Sequence, residues 1–152
     1  MILTIDPGKT TGYALGNFNE SDRTIRVVEY GELRTFGTYE FATKLQALIG
    51  LSNRVVIERF HNAGPQMDTS PLLVTGAVFA LAAVGCPAVK RIDYQQPDVP
   101  AFITKRFSET SVLTPALVGS QHAYDAITHL WDYFYRRCQC TTIIVDGKVV
   151  NL

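Results

Sequence analysis

Apolar residues fall along this chain at two spacings, one suited to strands and one to helices. Met1 to Ile5 is a short, nearly unbroken apolar run and predicts a buried strand; the turn around Gly8 and Gly12 then leads into a second strand about Tyr13-Ala14-Leu15. Thr24 to Leu33 alternates as a third strand, and Val55 to Ile57 is a fourth, fully buried one. Between them, Tyr39 to Leu51 spaces Phe41, Leu45, Leu48 and Ile49 as one face of an amphipathic helix. Pro71 to Val84 predicts an apolar helix, Ala88 to Ile92 a fifth strand, Pro97 to Phe107 a short helix and Ser120 to Arg137 a long last helix. Asp146-Gly147 between Ile143-Ile144-Val145 and Val149-Val150 is a two-residue hairpin signal, expected as a C-terminal β-hairpin appendage. Loops are expected over Asn17 to Arg23, Phe60 to Ser70 and Glu109 to Gly119.

Composition narrows this to one α/β domain over residues 1–152: 47% of the chain is hydrophobic and 18% charged, enough for a sizeable core. Lys plus Arg and Asp plus Glu number 14 each, so net charge gives no argument for nucleic-acid affinity, and a DNA site must be a local patch. Thr69 to Val89 is uncharged and long enough to cross a bilayer, but Pro71 and Gly85-Cys86-Pro87 divide it into a helix and a short strand, so no membrane association is expected. Cys86, Cys138 and Cys140 are odd in number, and reduced thiols in a cytoplasm are the simpler reading. The Cys138-Gln139-Cys140 spacing is not that of a zinc ribbon or finger.

Three polar interruptions carry candidate chemistry. Asp6 follows the strand Ile2-Leu3-Thr4-Ile5, and Glu58 follows Val55-Val56-Ile57. A carboxylate at the end of an apolar strand is costly to desolvate and needs a compensating partner. A divalent cation would serve both. On the last helix His122, Asp125 and His129 stand at i, i+3 and i+7 and share one face. Paired Mg²⁺ or Mn²⁺ ions about 3.5–4 Å apart stabilise the attacking and leaving oxygens of a phosphoryl displacement. Three carboxylates and an imidazole suit Mn²⁺ at least as well as Mg²⁺. Each group also has a plainer reading. Asp6-Pro7-Gly8 is good turn chemistry, Glu58-Arg59 a strand-end ion pair, and His122 and Asp125 first-turn helix residues.

Taken together, Ile5-Asp6-Pro7-Gly8 with Thr11-Gly12-Tyr13, Val56-Ile57-Glu58 and His122-Ala123-Tyr124-Asp125-Ala126 resemble the RuvC-like Holliday junction resolvases, particularly the small bacteriophage versions. The resemblance spans most of the chain. It implies a ribonuclease H-like fold, here a mixed five-stranded sheet flanked by helices. It also implies a homodimeric, metal-dependent endonuclease that nicks paired strands of a four-way DNA junction with two ions per active site, working in the host cytoplasm if phage-encoded. The family's acidic positions carry over to Asp6, Glu58 and Asp125. His122 stands where many relatives have aspartate and is a ligand or a general base. An aromatic side chain that lodges at the junction has Phe60 as its nearest counterpart.

Phosphate contacts are expected from Lys9, Lys90, Arg91, Lys105 and Arg106, while Arg136 and Arg137 read as last-turn helix charges. Small residues Gly76, Ala77, Ala80, Ala82 and Ala83 among Leu72, Leu73, Val78, Phe79 and Leu81 give the apolar helix a surface for a C₂ partner, or equally a place in a monomer core. Three other readings remain. An actin-like or sugar-kinase-like ATPase needs two domains around its nucleotide. Gly8-Lys9-Thr10 is no P-loop either, because Leu3 stands where the first glycine belongs, so no nucleotide cofactor is expected. A non-catalytic nucleic-acid-binding module would keep the fold without turnover. A nuclease for other branched, flap or single-stranded substrates would share the ligand set.

Overall fold

Alternation along the first strand, β1 (Ile2–Asp6), decides what each face of the sheet meets: Leu3 and Ile5 join one apolar cluster while Thr4 and Asp6 point to the opposite face. The computed structural model describes residues 1–34, 36–59, 68–85, 91–95, 99–110 and 113–151. Phe60, Cys86, Lys90 and most of the expected Phe60 to Ser70 loop lie outside the described residues. The elements after β1 are β2 (Thr11–Asn19), β3 (Thr24–Leu33), α1 (Tyr39–Gly50), β4 (Arg54–Glu58), α2 (Ser70–Gly85) and β5 (Arg91–Gln95). They continue with α3 (Ala101–Thr110), α4 (Pro115–Val118), α5 (Gln121–Cys138), β6 (Thr142–Val145) and β7 (Lys148–Asn151).

These strands form one mixed sheet of order β5-β4-β1-β2-β3-β6-β7. Its inner pairs β1–β4 and β4–β5 are parallel, and β1–β2 and β2–β3 antiparallel. The C-terminal hairpin extends the five-stranded core: β6 lies parallel to β3, and Tyr30 of β3 donates its hydroxyl hydrogen to Asp146 in the hairpin turn at 2.5 Å.

Helices α1 and α2 cover one face. Thr38 caps α1 by accepting a hydrogen bond from the Phe41 amide (3.2 Å), and Phe41, Leu45, Leu48 and Ile49 pack against Leu3, Ile5, Val55 and Ile57. Helix α5 covers the other face, with Ile127, Leu130 and Trp131 fully buried beside Ile103 and Phe107 of α3. Truncating a buried aromatic such as Trp131 to alanine costs about 3–5 kcal/mol by the usual cavity terms. Close approach of α5 depends on β2, which turns the small Gly12, Ala14 and Gly16 toward the helix ahead of Phe18 on the same face. A side chain on Gly12 would meet the His122 backbone, and one on Gly16 the Leu130 side chain. The Thr4 hydroxyl lies 2.8 Å from the Ala126 carbonyl oxygen and pins the middle of the helix to β1.

Four boundaries differ from those expected. The fifth strand is Arg91–Gln95, displaced from Ala88 to Ile92, because its inward positions are the polar Asp93 and Gln95 and its apolar signal is inverted; residues 88–90 are outside the described residues. The short helix begins after Pro100, since the residue before a proline is kept out of the α region. The first expected loop shrinks to a turn because β2 runs on to Asn19, with Phe18 stacked on Phe134 at 4.8 Å. Within the last expected loop, Thr114 caps the single turn α4, Pro115 opens it and Gly119, at φ 81°, ends it. Among the described residues no helix is long and apolar enough to cross a membrane.

Candidate active site

Strands β1 and β4 run parallel with Ile5 opposite Ile57, so Asp6 and Glu58 emerge together at one end of the sheet. Each lies an even step from an inward residue, Thr4 and Val56, and therefore faces α5. The helix starts at that end. Its cap Ser120 accepts from the Ala123 amide at 3.1 Å and donates its hydroxyl hydrogen to Glu32 of β3, which ties the first turn to the sheet. Gly12 removes the side chain that would otherwise hold the His122 backbone away.

Two carboxylate–imidazole pairs result. His122 Nδ1 lies 3.0 Å from Asp6 Oδ2, and His129 Nε2 lies 3.2 Å from Glu58 Oε2. His122 is 45% exposed at the mouth of the cleft and His129 only 6%. Asp125, between them on the same helix face, accepts from Gln121 Nε2 at 2.7 Å. Val99, Thr104 and Thr128 complete a cleft of about 520 Å³ around Asp6, Glu58, His122, Asp125 and His129.

The electrostatics show two acids sharing one site. Burial, then the hydrogen bond with Glu58, raise the Asp6 carboxyl to about 6 against the pull of His122. Burial also pushes Glu58 up, but the hydrogen bond and charge of His129, with the Asp6 contact, outweigh it and leave Glu58 below its ordinary value. The two carboxyls titrate as a pair, with Asp6 drawn up and Glu58 drawn down. Asp125 is raised by burial, a shift partly offset by Gln121 and the two histidines.

The four residues singled out in the sequence thus line one cleft. His129, visible beforehand only as a member of their helix face, is the addition: it is the partner that holds Glu58. Among the described residues no three His, Cys, Asp or Glu side chains converge at metal-holding distances; Asp6 and Glu58 each meet an imidazole and Asp125 meets Gln121. Of the basic candidates, Lys9 is exposed in the turn directly after Asp6. Lys105 and Arg106 on α3 pair with Glu109 at 3.6 and 3.8 Å and do not line the cleft, Arg106 instead donating to the Asn151 carbonyl of β7. Arg91 sits at the opposite end of its strand, opposite Arg54 rather than Glu58. Phe60 and Lys90 are outside the described residues.

No protein-family model matches the chain, and no curated protein matches it. Solved structures do. Thermus thermophilus RuvC is similar over 99% of both chains, with a TM-score of 0.57 at 15% identity. The same protein in complex with a Holliday junction substrate gives 0.57 at 16% over the same coverage. The Fowlpox virus resolvase bound to Holliday junction DNA matches 90% of this chain and 99% of its own, with a TM-score of 0.59 at 11% identity. The fold is thereby that of the RuvC-like resolvases, a ribonuclease H-like α/β arrangement of mixed sheet and flanking helices.

Proposed function

We propose that the chain is a single-domain, divalent-metal-dependent endodeoxyribonuclease that cuts branched DNA, resolving four-way junctions by paired nicks through in-line phosphodiester hydrolysis. The observation that carries this reading is the meeting of Asp6, Glu58, His122 and Asp125, from three sequence-distant elements, in one cleft of a resolvase-like fold. The RuvC and Fowlpox virus resolvase complexes with Holliday junction DNA support branched DNA as the substrate class.

The donor set fits a divalent cation. Burial, and then the neighbouring Glu58, raise Asp6 to about 6, and a cation lying against both carboxylates of this cleft would offset that burial and repulsion. Asp6, Glu58, Asp125 and His122 would hold Mg²⁺ or Mn²⁺, two ions per site, supplying charge stabilisation for the attacking and leaving oxygens. The chain's own contributions are separate. His129 fixes the Glu58 carboxylate, the Ser120–Glu32 contact fixes the start of α5, and Lys9 is placed to meet a phosphate beside Asp6. Where His122 does not serve as a ligand, its imidazole, open to the cleft, would instead be the group that takes a proton from the attacking water.

Paired nicks call for two sites, and α2 supports a homodimer: Leu72, Leu73, Phe79 and Val84 are exposed on it, at 49%, 53%, 40% and 90%. A monomer in sedimentation at micromolar concentration would remove that part of the proposal. A second reading, a non-catalytic binding module, is favoured by the internal pairing of the carboxylates. Cleavage of a labelled four-way junction beside duplex, flap and single-stranded controls, with Mg²⁺, Mn²⁺ or chelator, separates the two. Paired nicks by the wild type that vanish in Asp6→Asn or in chelator are expected. Cutting confined to other substrates would revise the substrate, and binding without any cutting would establish the module.

A further inference from the structure

At the far end of α5, three guanidinium groups converge on one buried carboxylate. Asp93 of β5 is 7% exposed, with Arg91 Nε at 2.5 Å, Arg137 Nη2 at 3.6 Å and Arg54 Nη1 at 3.9 Å. Tyr133 donates its hydroxyl hydrogen to Asp93 (2.9 Å) and accepts from Arg54 Nη1 (2.6 Å), and the Arg137 guanidinium lies over the Tyr133 ring, 4.6 Å from its centre. One turn back, the buried Asp132 holds Arg136 and Gln95. Glu20 lines the adjoining cleft with Arg54 and Arg91.

A single arginine satisfies a buried carboxylate. Three around one leave two positive charges in excess around Asp93, of which Glu20 in the adjoining cleft offsets at most one. Their side chains are 34%, 57% and 45% exposed for Arg54, Arg91 and Arg137, so one edge of each group is held by Asp93 or Tyr133 while the rest faces solvent. Such a platform is short of an anion and rigidly held, which is what a phosphate-binding surface requires. It also lies on the flank of α5 that faces β4 and β5, the flank that carries the His129–Glu58 pair. From Glu58 back to Arg54 is four strand residues, or about 13 Å. From Asp125 to Arg137 is twelve helix residues, or about 18 Å. These lengths correspond to roughly 4–5 base pairs of duplex.

We infer that Arg54, Arg91 and Arg137, gathered on Asp93, form a second DNA contact that grips the backbone phosphates of the duplex arm leaving the cleft. This rests on the nuclease reading above. The test is the affinity of the full chain for a labelled four-way junction in chelator, across a salt series. Arg91→Gln with Arg137→Gln is expected to weaken binding roughly tenfold and to flatten the dependence of log K on log salt by about two units. Arg91→Lys with Arg137→Lys keeps the charges but loses the fork that fits Asp93, and should retain the wild-type salt slope. Wild-type affinity and slope in the glutamine variant would overturn the platform, as would equal loss in the lysine variant, which would mark the arginines as supports of Asp93 alone. Should the glutamine variant melt early, hydroxyl-radical footprinting of the wild type decides: protection about 4–5 base pairs from the cleavage position supports the contact, and its absence refutes it. A wild type that binds and cuts junctions with unaffected variants sinks only this inference. A wild type that binds no branched DNA sinks the nuclease reading first.

Discussion

Replacing Gly12 with alanine puts a methyl carbon 2.0 Å from the His122 carbonyl oxygen, 2.4 Å from its carbonyl carbon and 3.0 Å from its Cβ. Contacts of this kind do not fall below 3.0 Å, so the helix backbone must retreat by at least about 1 Å, and backbone cannot rotate aside as a side-chain tip can. Overpacking of this sort costs about 1–3 kcal/mol. In a domain of this size each kcal/mol lowers Tm by roughly 2–4 °C. The larger effect is on chemistry. His122 and Asp125 ride on the displaced turn while Asp6 and Glu58 stay on the sheet, and a 1 Å misplacement costs on the order of 10²-fold in rate. Gly16→Ala is the matched control, because its methyl group meets the flexible Cδ2 of Leu130 at 2.7 Å, a side chain buried in the core and not part of the cleft lining. Junction cleavage and thermal melting of both variants should show Gly12→Ala losing activity far beyond its stability loss, and Gly16→Ala losing only stability. Equal activity in the two would refute the claim that β2 sets the register of the site.

Further outcomes follow from the same geometry. Asp125→Asn should abolish junction cleavage with Tm nearly unchanged, and His122→Ala should leave partial activity; unfolding of either in circular dichroism would point to a structural role. His129→Leu leaves the Glu58 carboxylate without its partner, and should weaken Mn²⁺ binding in calorimetry by roughly 10–100-fold, with His129→Gln recovering part of it; unchanged Mn²⁺ affinity would detach His129 from the site. Asp93 is pushed up by burial but held below its ordinary value overall by Tyr133, Arg91 and Arg137. Its stabilisation is therefore fully present above the unfolded carboxylate value of about 3.9 and lost as pH falls through the lower folded value. Acid unfolding followed by fluorescence should show less stability lost below about pH 4 in Asp93→Asn than in the wild type.

The regular elements were legible where polarity and position agreed. β1, β3, α1, β4, α2 and α5 all follow their apolar spacing, and Asp6 and Glu58 stood out because each ends an apolar strand. β5 was misplaced because Asp93 and Gln95 point inward, where Asp93 meets Tyr133 and the Gln95 Nε2 meets Asp132, 40 and 37 residues further on. No local pattern announces such partners. Gly12 was visible as a turn residue, but its function in admitting the helix depends on a contact 110 residues away. Arg136 and Arg137 are the last-turn helix charges their position suggests, but their contacts with Asp132 and Asp93 depend on the tertiary fold and leave no local signal. Small residues at Gly12, Ala14 and Gly16, alternating along one strand before a buried helix, are the signal that would have predicted the close packing.

Because α5 carries both His122 and Asp125 in its first turns and Ile127, Leu130 and Trp131 in the centre of the core, this wall of the active cleft is continuous with the core of the domain. Its amides are expected to exchange with solvent only when the whole domain opens. Heat should then extinguish activity and tertiary structure along one curve, and sequence drift that loosens the helix core would be paid in catalysis as directly as in folding.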